Sequence, residues 1–139
     1  MEWIKPTVDD LSATLSAEEI EAFGASADFA DVAGAVIRRT VALVRGYVLA
    51  GGVTPPADAD LLPPPLLAPA MDYAAYDLLK RLPVAVGEAR RRAREDAAAV
   101  FSQVASGKVS VEPHGGSAGG GVAALPAFAA PPPERRLDP

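Results

Sequence analysis

The chain has no cysteine and a single histidine, His114. Without thiols, disulfide staples and thiolate metal centres are excluded, which removes the usual framework of a small secreted fold and fits a reducing compartment or an assembled particle. One histidine between Pro113 and a glycine run offers no convergent ligand set, so neither a metal nor a cofactor is expected. Aromatic residues are scarce, one Trp, three Tyr and four Phe, and much of the 50% hydrophobic content is alanine. That composition favours close helix-helix packing over a bulky core. Long apolar runs are missing too: the most apolar helical segment carries Arg38, Arg39 and Arg45, so it is too interrupted to span a bilayer. The opening Met1-Glu2-Trp3-Ile4-Lys5-Pro6 lacks a basic start followed by an apolar stretch, which predicts no signal peptide.

What is present is unevenly charged. The net charge of -5 divides into eight acids against Lys5 in residues 1–36 and twelve bases against ten acids in the rest. An acidic front and a slightly basic remainder suit a subunit that sets one edge against a neighbour's other edge, and equally suit a solvated surface.

Helical patterns account for most of residues 9–107. Ser16, with Glu19 three residues on, forms a capping-box signature, and a short first helix runs from there toward Gly24. A second helix starts at Ser26 or Asp28 and repeats apolar residues at Phe29, Val32, Val36, Ile37, Val41, Leu43, Val44, Tyr47 and Val48. Gly51-Gly52 ends it and Pro55-Pro56 forbids its resumption. Residues 53–65, rich in proline, alanine and aspartate, predict an extended connection across the surface. A third helix starts near Leu66, turns Met71, Ala74, Ala75, Leu78, Leu79 and Leu82 inward, and stops at Pro83. The fourth places Val86, Ala89, Ala93, Ala97, Val100, Phe101 and Val104 on one side, with Gly107 as its cap. Val109-Ser110-Val111 alternates like a very short strand. The expected architecture is all-α: a four-helix domain over residues 1–112 with a long proline-rich inter-helix loop, followed by an extended Gly/Pro-rich arm over 113–139. In that arm Val122, Leu125 and Phe128 are candidate docking anchors that order on a partner.

Sites of chemistry are few. His114 reads as a solvated tail residue, Glu18 and Glu19 as helix-capping acids, and the glycine run as a linker, since it lacks the Lys-Ser/Thr of a phosphate loop. In Arg90-Arg91-Arg92 with Arg94, Glu88 and Arg92, Arg91 and Glu95, and Arg92 and Asp96 stand four apart and can pair within the helix. Arg90 and Arg94 lack such partners, which makes them the candidate intersubunit or phosphate-facing surface. Tyr47, Tyr73 and Tyr76 fall at or near helical core positions and read as packing residues.

The order of these segments resembles a known family. Trp3-Ile4-Lys5-Pro6-Thr7-Val8-Asp9-Asp10-Leu11 with Leu15-Ser16-Ala17-Glu18-Glu19-Ile20 is similar to the opening segment and first helix of head-to-tail connector (adaptor, or head completion) proteins of tailed bacteriophages, of the Mu-like and related long-tailed type. Val44-Arg45-Gly46-Tyr47-Val48-Leu49 looks like the end of that family's long second helix. Leu67 to Arg81 resembles its third helix, and Glu88 to Val109 its fourth with the closing glycine. The resemblance implies a non-enzymatic virion protein without cofactors. It would form a homo-oligomeric ring, usually dodecameric, between the portal and the next neck or tail protein, with DNA passing through non-specifically. It would be located in the virion neck, and in the host cytoplasm during assembly. A helical nucleic-acid-binding module and a bacterial partner-binding protein share the same sequence features and stay open as alternatives.

Overall fold

The computed structural model describes residues 1–23, 28–81 and 86–115. The described residues form five α-helices: α1 (Val8–Thr14), α2 (Ala17–Phe23), α3 (Phe29–Ala50), α4 (Leu67–Leu79) and α5 (Glu88–Ala105), with a 3-10 turn over Pro64–Leu66 leading into α4. The fold is therefore all-α, as expected, but with one helix more than the four read from the sequence. The addition is α1. Thr7 accepts from the Asp10 amide (3.1 Å) while the Asp10 carboxylate accepts from the Thr7 amide (2.9 Å), a reciprocal cap that starts the helix. The second cap follows the same logic: Glu19 donates its amide to Ser16 Oγ (3.1 Å) and accepts the Ser16 amide (2.8 Å).

Helices α3, α4 and α5 pack on one another, and α1 lies across α3 and α4 with Leu11 fully buried beneath it. On α4 the buried residues include Met71, Ala74, Ala75, Leu78 and Leu79, and on α5 they are Ala97, Phe101 and Val104. Phe101 sits between Tyr47 of α3 and Tyr73 of α4, each ring centre 5.9 Å away. Small side chains at Ala70, Ala74, Ala75 and Ala97 permit this close approach. Two periodicity assignments are corrected. Leu43 is 37% exposed, whereas Thr40, its hydroxyl donating to the Val36 carbonyl (2.9 Å), is buried in its place nearer the middle of the inward arc. Ala89 is exposed, at the N-terminal end of α5.

Both long helices end as their glycines dictate. At the end of α3, Gly52 (φ +99°) donates to the Leu49 carbonyl and Val53 to the Val48 carbonyl; at the end of α5, Gly107 (φ +83°) donates to Val104 and Lys108 to Gln103. Each is a Schellman closure, which needs a left-handed residue where glycine stands. Val109–Val111 follows the second closure and is not a strand: a strand needs a neighbouring chain to bond to, and none pairs with it among the described residues.

The proline-rich connection is also more than a surface crossing. Leu62 and Pro63 are buried, Ile4 and Leu62 exchange two backbone hydrogen bonds (2.9 and 2.8 Å), and Arg45 donates to the Leu61 and Pro56 carbonyls. A proline lacks the N–H that would be costly to bury, so a proline-rich strap can lie on the core with few unpaired donors. Gly24, Ser26 and Pro83, expected to stop or start helices, and Leu82, expected to face inward, lie outside the described residues. Among the described residues, no helix is long and apolar enough to cross a membrane.

Candidate interaction surface

Arg90 is far from solvent-facing. Its Nε and Nη2 donate to the two carboxylate oxygens of Glu19 (3.2 and 2.7 Å), Nη2 also donates to the Thr14 carbonyl (3.2 Å), and Nη1 stands 3.8 Å from Asp72. The side chain is 14% exposed. This corrects the expectation that Arg90 lacks partners: its partner is 71 positions away in sequence, on α2, and no spacing within α5 could disclose it. The planar fork of arginine suits the geometry, since two parallel donors meet two carboxylate oxygens. Burial pushes the Glu19 carboxyl upward, but hydrogen bonds from Arg90 and Ser16, with the guanidinium charge, outweigh it and hold the group below its ordinary value. At Asp72 burial prevails over the more distant Arg90, and the carboxyl is raised.

Arg94 is likewise engaged. Its guanidinium carbon lies 4.7 Å from the Tyr73 ring centre and 5.2 Å from that of Tyr76, and Nη2 donates to Tyr73 Oη (3.1 Å). Arg91 and Arg92 both pair with Glu88, at 2.6 and 3.7 Å. Arg91 and Arg92 thus share one carboxylate at the exposed start of α5, while the two arginines singled out from the sequence serve as ties from α5 to α2 and to α4.

His114 is placed differently from its expectation as a solvated tail residue. It is half-buried, its Nδ1 accepts the Trp3 backbone N–H (3.0 Å), and the two rings meet edge to face at 6.4 Å. Trp3 Nε1 donates to the Glu112 carbonyl (2.9 Å) and Gly115 donates to the Met1 carbonyl (2.9 Å). Trp3 itself is 2% exposed. The contacts therefore run through Gly115, past the expected domain limit at residue 112. Val122, Leu125 and Phe128 lie outside the described residues.

The surface that remains open is elsewhere. On α2, Glu18, Ile20 and Glu21 are exposed, Ile20 by 44%, and none of the helix's described side chains reaches the core. At the start of α1 and along α3, a groove of about 320 Å³ has an apolar wall of Pro6, Val8, Ile37 and Val41 with Lys5 and Arg38 at its rim. Among the described residues, no group of three or more His, Cys, Asp or Glu side chains converges as a metal site.

Comparison with family models, with curated proteins and with solved structures found no match to this chain.

Proposed function

We propose that the chain is a structural subunit of a phage virion, a head-to-tail adaptor that forms a ring with its own copies beneath the portal. In this role it extends the DNA channel toward the next neck or tail protein and performs no catalysis. The observation that carries this proposal is the order of segments resembling the connector family: each falls on a helix or a helix end, in sequence order. The resembling Trp3–Leu11 segment runs into α1, Leu15–Ile20 overlaps α2, Val44–Leu49 is the last part of α3, Leu67–Arg81 contains α4, and Glu88–Val109 contains α5 with its glycine closure. A helical domain with Glu18 and Glu21 on α2 and Arg38 on α3, all unpaired among the described residues, suits repetition around an axis. DNA in such a channel is met through phosphates, without base reading.

The nucleic-acid module is less well supported, because Arg90 and Arg94, the cations it would rest on, are spent inside the chain. Electron microscopy of the purified protein mixed with portal rings from the same genome is the direct test. A second ring stacked on the portal is the expected result. A protein that ignores the portal and its neck partners, yet binds duplex DNA with steep salt dependence as a free subunit, would overturn the proposal in favour of the module.

A further inference from the structure

We infer that α2 is the projecting half of a head-to-tail contact between copies of this chain, and that the groove between α1 and α3 is the receiving half. This rests on the ring-forming role proposed above and specifies where neighbouring copies touch.

Two observations on separate parts of the surface fit each other. The first is the presentation of α2. A seven-residue helix is too short to persist alone in water, yet this one, none of whose described side chains is buried, is capped by Ser16 and Glu19 and tied down by the paired Arg90. What that anchoring holds outward is an exposed isoleucine, Ile20, with Glu18 and Glu21 beside it. Neither glutamate has a hydrogen bond or ion pair among the described residues. Nearly half of the Ile20 side chain faces water, and covering it with a neighbour removes that apolar surface from solvent.

The second is the groove. It opens to solvent, with the half-buried Val8 on its wall and the largely buried Pro6, Ile37 and Val41 at its base. Its rim is basic: Arg38 is exposed and unpartnered among the described residues, and Lys5 meets only Asp60, at 3.8 Å, with both side chains exposed. Asp60 also lines the groove, so the net bias at the rim is one positive charge. An isoleucine flanked by two glutamates matches an apolar groove flanked by a lysine and an arginine in apolar character and in sign of charge. No residue of α2 lines the groove of its own chain.

Because projection and slot are different patches, the contact is heterologous. Each copy uses its α2 on one neighbour and its groove on the other, which generates a closed ring or an open filament and not a two-fold dimer. The rim charges set orientation and encounter rate, while the buried isoleucine supplies most of the attraction.

The absence of cysteine makes the test direct. Full-length chains carrying Ile20→Cys and, separately, Val8→Cys are mixed under mild oxidation, both free in solution and bound to portal rings. The expected product is a covalent pair of one Ile20→Cys and one Val8→Cys chain, and a ladder of larger species from a chain carrying both. In parallel, Glu18→Lys with Glu21→Lys weakens self-association roughly tenfold or more, and adding Lys5→Glu with Arg38→Glu to the same chain recovers it. Circular dichroism of each variant confirms an unchanged helix content. Rings that form on the portal without the mixed cross-link, or that tolerate the charge reversals, would overturn this contact while leaving the adaptor role standing. Cross-linking of Ile20→Cys to itself in place of the mixed pair would replace it with a two-fold contact. A chain that neither self-associates nor binds the portal would overturn both.

Discussion

Arg90 commits every nitrogen of its guanidinium to the interior of the chain, so its worth is best judged by what its removal strands. In Arg90→Ala the Glu19 carboxylate, 23% exposed, keeps its place beside the domain without a counter-charge. The expected cost is about 2–3 kcal/mol in urea denaturation, within the range for a lost charge-assisted pair. Arg90→Lys recovers only part, because one ammonium cannot meet both oxygens and the Thr14 carbonyl together. Acidification should report the same pair. The folded Glu19 carboxyl is held below its unfolded value, so its contribution is complete above the unfolded value of about 4.3 and disappears as pH falls through the lower folded one. Asp72 acts in the opposite sense: its raised carboxyl disfavours the fold at neutral pH and relaxes on protonation, partly offsetting the loss. Stability measured from pH 7 down to 3 should therefore fall less steeply in Glu19→Gln than in the natural chain. Equal slopes would show that the pair carries no linkage.

At the scale of elements, the close approach of α3 to α5 depends on one glycine. A Cβ built on Gly51 would stand 2.3 Å from the Val104 carbonyl oxygen, so backbone would have to move. Gly52 meets no atom but has φ +99°. Gly51→Ala is therefore expected to cost about 2–3 kcal/mol, as overpacking does, and Gly52→Ala about 1 kcal/mol through left-handed strain alone. Thermal melts that reverse this order would refute the close approach. The role of Gly52 as a helix stop was legible in the sequence, as were the Ser16–Glu19 cap, the Gly107 closure and the inward faces of α3 and α4, because all of these are set by residues within five positions of one another. Helix α1 has the length of α2 and the same kind of cap, Thr7 with Asp10 three residues on, so its start was equally legible. The surface assignment of the proline-rich strap failed because the strap is held by Ile4, which exchanges backbone bonds with Leu62, and by Arg45, which donates to the Leu61 and Pro56 carbonyls, and both lie outside it in sequence. Arg90 follows that rule most clearly. Testing charges only against positions three and four away finds Glu88 for Arg92 and misses Glu19 for Arg90, since the latter contact exists only once α1, α2 and α5 have assembled.

For the molecule as a whole, the telling arrangement is that residues 1–4 and 111–115 close on each other across the domain. Trp3 is the largest side chain near either end, and it is buried in the apolar core with its indole N–H donated to Glu112 and its backbone N–H to His114. Two bonds of this kind, each contributing about 1 kcal/mol net, hold an aromatic whose release would open one end of the core. An arm that began at Pro113 and touched nothing in the domain could be cut after Glu112 with stability nearly unchanged. The structure predicts otherwise for residues 113–115. A chain ended after Gly115 keeps the His114 and Gly115 contacts, and one ended after Glu112 loses both. The shorter should melt about 5 °C lower, as expected for a loss near 1 kcal/mol in a domain of this size, and the Trp3 amide should exchange faster with solvent. His114→Ala in the full-length chain should reproduce most of that shift, and His114→Asn, which restores an acceptor oxygen near the position of Nδ1, should recover part of it. Equal melting temperatures for the two truncated chains would mean that Trp3 is held by apolar packing alone and that His114 is incidental to the fold.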